Sequence, residues 1–401
     1  MKSYYKRLFY ILARDPLKIK SMWRLKNFRT NEWKKDFSNG AVDIKPPPIV
    51  SIRLNYGCDL RCVMCNQWGE NGMYIKNPQH MPKRSVSTAE WKKFIDEVAT
   101  FSPYINFNGG EPLLNQDVEE LIHYASSKHL VTSLTTNGTH LKARGEGLIR
   151  AGLDYIHTSL DAPPSDGEPI IRQKADRTDS SREVLEALHD FIRLRDRLGI
   201  GLPIVQTQTV VVKENQHQLL KLANYMNDVL KPDVWSLQLC IFTTEELNDA
   251  TTDMYQQFFN QSQLGWSGFI RDFEGMDYDG VQAQLDLIAA GNWKYKLRMY
   301  KPIGDKGFNI RSYFTEPHKH ASDSRPKCMH PYAFAQLQPN GDAVFCCAQP
   351  DYNIGNIKTN SLEHIWSNQR STQWRDFLQK KLFPSCKRCY ALHELNHFAK
   401  E

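Results

Sequence analysis

The sequence predicts an α/β protein: a partial (β/α)6 TIM-like barrel followed by a small cysteine-rich auxiliary domain. Three observations predict it. The chain has 401 residues, enough for two or three domains and a sizeable core. Apolar, β-branched segments alternate with amphipathic helical patterns between residues 49 and 240. Eight of the nine cysteines fall into two groups, one near residue 60 and one beyond residue 327. The expected regions are a basic aromatic arm (1–45), the barrel (46–245), a connecting, substrate-shaping region (246–325) and the auxiliary domain (326–401).

The arm comes first. Residues 1–36 hold eleven Lys or Arg against three Asp or Glu, which exceeds the net +6 of the whole chain. Its aromatic residues include Tyr4, Tyr5, Phe9, Tyr10 and Trp23. Three uses compete: a helical cover on the barrel, a contact with an anionic membrane surface, and nucleic-acid binding. No nucleic-acid module accompanies it, so nucleic acid is not expected. Residues 8–13 form too short an apolar run for a signal core, and no stretch reaches 18 apolar residues, so a cytoplasmic protein is expected, peripheral at most to the inner face of a membrane. An apolar content of 41% and a charged content of 24% exclude a disordered chain.

Pro46-Pro47-Pro48 reads as a stiff entry to the first strand, because proline lacks the N–H that a central strand needs. Strands are expected at 49–54, 104–107, 130–134, 155–160, 204–212 and 235–239. Helices are expected at 88–98, 117–128, 140–151, 181–198 and 217–229. This rhythm implies parallel βα units, with a doubly wound sheet as the second architecture. In either, ligands bind at the carboxyl ends of the strands. Residues 241–327 are less periodic, with loops expected at 265–275 and 301–307. Trp266, Arg271 and Tyr278 in this region are either substrate contacts or packing.

Directly after the first strand, Cys58, Cys62 and Cys65 are spaced C-x3-C-x2-C. Three thiolates in eight residues can converge on one centre. A [4Fe–4S] cube has four irons, so three thiolates leave one corner open to another ligand. This segment resembles the signature of the radical S-adenosylmethionine (SAM) superfamily. The resemblance implies that the open iron binds SAM and that reductive cleavage yields a 5′-deoxyadenosyl radical, which abstracts hydrogen from substrate. Met64 stands where the family often has an aromatic residue against adenine. Gly109-Gly110-Glu111-Pro112 resembles the family's GGEP segment, implying backbone approach at Gly109 and Gly110 and an acceptor at Glu111 for the SAM amine. Asn137, Ser159 and Asp161 resemble positions that reach the SAM ribose or carboxylate, and Arg172 is either a partner for a carboxylate fork or a solvated surface arginine. Asn137-Gly138 also reads as an ordinary turn, and Asp161 as a cap.

The second group resembles the SPASM or twitch type of auxiliary domain, with Gly341-x4-Cys346 and Cys386-x2-Cys389. The resemblance implies one auxiliary [4Fe–4S] cluster on Cys328, Cys346, Cys386 and Cys389; Cys346 fits the G-x4-C spacing, and Cys347 beside it is either packing or the ligand in its place. Zinc is the other ion that four cysteines suit. A second cluster suits the removal of an electron from a substrate radical, hence oxidation. Cys240, at the end of the sixth strand, is either a buried small side chain or a hydrogen-atom donor for epimerisation. The expected substrate is a small polar molecule, such as a sugar, polyol or lipid-linked group, with a peptide as the second candidate; the non-enzyme alternative is a structural metal protein. The resemblance also implies a low-potential reductant such as a flavodoxin or ferredoxin.

Overall fold

The computed structural model describes residues 2–30, 44–82, 85–164, 170–300, 303, 308–319 and 328–389. The six expected strands form as β1 (Ile49–Arg53), β2 (Tyr104–Asn108), β3 (Thr132–Thr136), β4 (Tyr155–Ser159), β5 (Ile204–Val211) and β6 (Val234–Leu239). The connecting region adds β7 (Lys296–Met299). The cysteine-rich region adds β8 (Phe334–Leu337), β9 (Asp342–Val344) and β10 (Gly355–Asn356). All ten join one sheet in the order β10-β9-β8-β1-β2-β3-β4-β5-β6-β7. From β8 to β7 every pairing is parallel, and β9 and β10 turn back antiparallel. β8 pairs with β1, so hydrogen bonding runs continuously from the barrel into the cysteine-rich region.

The barrel helices take the expected places: Thr88–Ala99, Val118–Ser127, Leu141–Arg150, Ser181–Arg197 and Leu219–Tyr225. The first opens on a capping box between Ser87 and Glu90, which satisfies the free amide groups of its first turn. The connecting region, read as weakly periodic, holds the helices Glu245–Phe259, Tyr278–Ala290 and Ile310–Thr315. Glu245–Phe259 buries only Leu247, Thr251 and Tyr255, a stripe four residues apart within a polar sequence. That stripe is too thin for the apolar pattern to reveal.

Successive residues of each strand face opposite ways. Val50, Ile52, Ile105, Phe107, Leu134 and Ile156 face the helices and form the main core. The alternate residues face the barrel lumen; Tyr155, Ile204 and Val234 among them meet the arm, and most of the rest are polar. The polar ones include Ser51, Asn106, Asn108, Ser133, Thr135, His157, Ser159, Gln206, Gln208, Ser236 and Gln238, set in successive rows on one face of the sheet by the strand register.

The arm forms two helices, α1 (Lys2–Arg14) and α2 (Ile19–Thr30). They close the end of the barrel where the strands begin. Ile11 packs with Leu202, Ile204 and Val234, with Tyr4, Leu8 and Tyr155 against them. Arg7 pairs with Asp233, and Lys18 Nζ lies 2.7 Å from the buried Asp154, which Arg14 also meets. Of the three uses expected for the arm, the barrel cover is thus present, and part of its positive charge answers two buried aspartates. Among the described residues no helix is long and apolar enough to cross a membrane.

Candidate functional site

The loop from Cys58 to Cys65 leaves the carboxyl end of β1 and is held from several sides. Residues 171–173 run beside it as a short ribbon. Arg61 N–H donates to Gln173 O at 2.6 Å and Val63 N–H to Ile171 O at 3.0 Å. Arg61 stacks on Trp68 at 4.7 Å and donates to the Cys58 and Leu60 carbonyls. The sulfurs receive backbone and side-chain donors: Leu60 N–H on Cys58 at 3.4 Å, Gln67 and Trp68 N–H on Cys65, both at 3.4 Å, and Arg172 Nη1 on Cys62 at 3.5 Å. Burial pushes the Cys58 thiol up to about 12 and the Cys62 thiol up to about 11. A thiolate in so desolvated a place needs a positive partner. Sulfur-only donors with N–H groups aimed at them fit an iron–sulfur cluster. Met64 lies half-buried against the core.

Gly109 and Gly110 are required by packing. A Cβ on Gly110 would stand 2.2 Å from Gly57 O, and one on Gly109 would stand 2.5 Å from Asn55 Oδ1. The segment is laced to the β1 exit by Gly110 N–H to Asn55 O (3.1 Å), Glu111 N–H to Gly57 O (2.8 Å) and Asn55 Nδ2 to Glu111 O (2.8 Å). Glu111 is fully buried, and its carboxylate accepts from Leu113 N–H (2.9 Å), Thr136 Oγ1 (2.7 Å) and Asn137 N–H (2.7 Å). Burial raises its pKa to about 7. The side chain expected to meet a ligand amine thus ties the end of β2 to the end of β3.

Asn137 is turned toward the thiol loop, donating through Nδ2 to Asp59 Oδ1 at 2.8 Å, with Cys58 Sγ 3.8 Å away. Asp59 also accepts from Thr139 Oγ1 at 2.7 Å and meets His140 Nε2 at 3.3 Å. It is a hub the sequence reading missed, since a lone aspartate inside a cysteine motif carries no spacing signal. Asp161 is buried after β4 and accepts from Val210 N–H (2.7 Å) and Arg172 Nε (2.5 Å). Arg172 therefore bridges Asp161 and the Cys62 sulfur. Ser159 ends β4 half-buried, in register with Gln208.

The lumen below this loop is both polar and open. Asn106, Asn108, Thr135, His157, Ser159, Gln208 and Gln238 keep solvent contact, although they lie on strands whose other face is sealed by helices. Residues so placed stay accessible only if the barrel is not filled. The wall carries its own network: Asn108 Nδ2 to Ser51 Oγ (2.5 Å), Ser133 Oγ to Asn106 Oδ1 (2.8 Å) and Gln206 Nε2 to Ser236 Oγ (3.1 Å). His157 Nδ1, Gln336 Oε1 and Gln338 Nε2 have no partner among the described residues. A period-two run of polar residues, as in Gln206-x-Gln208 or Ser236-x-Gln238, was the available signal, because strands covered on both faces are otherwise apolar.

Cys240 follows β6 and is buried, its thiol pushed up to about 11 by burial, with Arg271 Nη1 3.7 Å from Sγ. Arg271 also donates to Gly268 O at 3.2 Å. The turn around Gly268 is a wall between the two cysteine groups. A Cβ on Gly268 would meet Asn66 O at 2.0 Å, next to Cys65, and one on Gly265 would meet Ala348 O at 2.3 Å. Trp266 in this turn is fully buried and packs with Phe269, Ala348, Cys346, Cys386 and Cys389. Tyr278 is bound locally, donating to Phe273 O at 2.8 Å.

Cys386 lies in the turn Pro384–Arg388 and Cys389 directly follows it, Cys346 follows β9, and Cys328 precedes the short helix His330–Ala333. Burial, with Cys389 and Cys328 nearby, raises the Cys386 thiol. Burial lifts Cys328 to about 11. Cys346 is raised first by its hydrogen bond with Cys347, which itself is exposed. Tyr313 Oη reaches both Cys240 O and Arg388 O at 3.1 Å, joining the barrel mouth to the turn that carries two of the thiols. Among the described residues no three His, Cys, Asp or Glu side chains stand close enough to share a single ion. A cube holds its thiolates on separate irons.

Residues 52–226 match the radical SAM superfamily, and residues 328–390 match SPASM, an iron–sulfur cluster-binding domain. The tungsten-containing aldehyde ferredoxin oxidoreductase cofactor-modifying protein of Pyrococcus furiosus is 22% identical over 346 residues, which span 84% of this chain and 86% of that protein. Streptococcus suis SuiB bound to its precursor peptide SuiA superposes with a TM-score of 0.55 at 16% identity, covering 86% of this chain and 70% of SuiB. anSMEcpe with bound AdoMet and Kp18Cys peptide has a TM-score of 0.55 at 15% identity, covering 86% and 88%. At these identities the two solved structures establish the fold.

Proposed function

We propose that this chain, which belongs to the radical SAM superfamily and carries a SPASM domain behind its barrel, modifies a residue of a peptide by abstracting hydrogen from it. Its cofactors are [4Fe–4S] clusters and SAM, and together they supply a 5′-deoxyadenosyl radical. The observation that carries the reading is the position of the three-thiol loop. It stands at the carboxyl end of β1, between an open polar lumen and the turn that leads to the auxiliary thiols. Cys58, Cys62 and Cys65 would hold the cluster that binds SAM. Cys328, Cys346, Cys386 and Cys389 would hold the auxiliary one.

The protein's own groups have distinct tasks in this reading. Glu111 fixes the strand ends, leaving the backbone of Gly109 and Gly110, with Asn137 and Ser159, to meet SAM, while Met64 lies against the adenine. Arg172, held by Asp161, receives an anionic group. The lumen amides and hydroxyls orient a polar target residue. Cys240 stands where a hydrogen atom could be returned, and the auxiliary thiols where an electron could leave. Epimerisation and oxidation are the matching outcomes. Two similar folds were solved with bound peptides, which ranks a peptide above the sugar, polyol or lipid-linked substrate favoured by the sequence. A flavodoxin- or ferredoxin-type donor supplies the low-potential electron.

Anaerobic reconstitution tests this. Two clusters require about eight iron and eight sulfide per chain. With SAM and dithionite, 5′-deoxyadenosine forms, and Cys58→Ala abolishes it. A panel of peptides stimulates its formation more than a panel of sugars and polyols. The reverse ranking would return the substrate to the small polar class.

A further inference from the structure

The two arm helices have faces of opposite character. The inner face is tied to the barrel by Arg7, Ile11, Arg14 and Lys18. On the outer face Tyr5, Phe9, Leu17, Ile19 and Trp23 are 57%, 67%, 49%, 54% and 64% exposed. They make up five of the eleven large apolar side chains that stand exposed among the described residues. Tyr5 and Phe9 lie one turn apart on α1, and Ile19 and Trp23 lie one turn apart on α2, so the stripe is continuous along each helix. Lys6 and Lys20 are exposed beside it. The acid of this stretch, Asp15, is engaged by His129 at 2.9 Å and by Leu17 N–H at 3.1 Å.

A groove of about 450 Å³ opens between α2 and the turn after Thr88–Ala99. Ile19, Trp23 and Phe101 form its apolar side, and Lys20 and Arg24 its basic side. Arg24 stacks on Phe101 at 5.1 Å and donates to the carbonyls of Phe101 and Pro46, while its Nε is buried without a partner among the described residues. Two cations beside an apolar slot match a phosphate with hydrocarbon next to it.

We propose that this face docks on an anionic phospholipid bilayer, with a headgroup phosphate at Lys20 and Arg24 and with Phe9 and Trp23 entering the interface. The sign of the charge favours lipid, because the face offers cations and aromatic side chains, a pairing suited to the headgroup layer. Its place in the fold agrees. The arm lies where the strands begin, and the thiol loops lie where they end. Docking therefore leaves the mouth of the barrel turned to water, open to a peptide. The inference does not depend on the identity of the substrate.

The test uses the full-length reconstituted protein with sucrose-loaded vesicles of phosphatidylcholine, with and without phosphatidylglycerol. The protein should sediment with the anionic vesicles only, and raising the salt to about 0.5 M should weaken that binding, because exposed charges are then screened. The double variant Phe9→Ser, Trp23→Ser should bind at least tenfold more weakly, and Lys20→Glu should lose the preference for anionic lipid. Both variants should keep wild-type iron content and 5′-deoxyadenosine formation, since neither touches the site. Equal sedimentation with both vesicle types, or none with either, overturns the proposal. So does a double variant that binds like wild type. A dimer in gel filtration that the double variant dissociates would make this face a contact between two copies and would also overturn it.

Discussion

At Arg172 a guanidinium lies between a carboxylate and a thiol, and its position decides what it can bind. Asp161 holds Nε, while Nη1 reaches Cys62. Charge-assisted hydrogen bonds of this kind contribute roughly 1.5–3 kcal/mol. Asp161→Asn should therefore weaken SAM binding about tenfold or more, measured by calorimetry on reconstituted protein. Unchanged affinity with a shifted cluster potential would assign Arg172 to the thiol instead. Glu111 gives a pH dependence. Burial lifts it from its ordinary 4.5 to about 7, equivalent to roughly 3 kcal/mol. Below pH 4.5 the group is protonated in both the folded and unfolded states and contributes no difference. Between 4.5 and 7 the unfolded chain releases its proton first, so stability falls as pH rises. Against Glu111→Gln, the wild type should lose up to about 3 kcal/mol of unfolding free energy between pH 5 and 8. A pH-independent difference would contradict the desolvated carboxyl. Cys240→Ala tests the donor role: loss of solvent deuterium from product supports it, and full activity with unchanged labelling removes it.

Among the elements, the segment after β2 and the turn at 265–270 do the joining. Gly110→Ala would force its Cβ into Gly57 O, so the exits of β1 and β2 must part. Overpacking of this kind costs about 1–3 kcal/mol. Because Gly110 shares this contact with the thiol loop, iron content should fall together with melting temperature. Ser87→Ala, by contrast, should cost only about 1 kcal/mol and leave iron content unchanged, since its capping box joins Ser87 to Glu90 and to no thiol. The strands and helices of the barrel were legible because each is long enough to repeat its period. β7 and β8 were not. Four residues cannot establish alternation, and β8 finds its partner, β1, near the other end of the chain.

For the whole molecule, the arm belongs to the barrel as much as to its surface. Lys18 and Asp154 are both fully buried. Removing one partner of such a pair costs about 3–5 kcal/mol. Lys18→Met should lower the melting temperature markedly without changing SAM affinity in the surviving protein, and calorimetry reads both. Deleting residues 2–30 should do more, because Ile204 and Val234 would face water. The polar lumen has a consequence at the same scale. A barrel lined with amides and hydroxyls cannot be stabilised by filling itself, so closure at the arm end and the β8–β1 pairing carry that part of its stability.

The sequence by itself determined the parallel βα order and the grouping of three cysteines after the first strand. These are local facts: periods within a segment, and cysteines a few residues apart. Only the tertiary structure decided that Glu111 is tied to β3, that Arg172 rests on Cys62, that the turn at Gly268 stands between the cysteine groups, and that half of the arm's character faces inward. Each of these joins residues distant along the chain. Which distant groups meet is set by how the packed layers close, and no single segment records it.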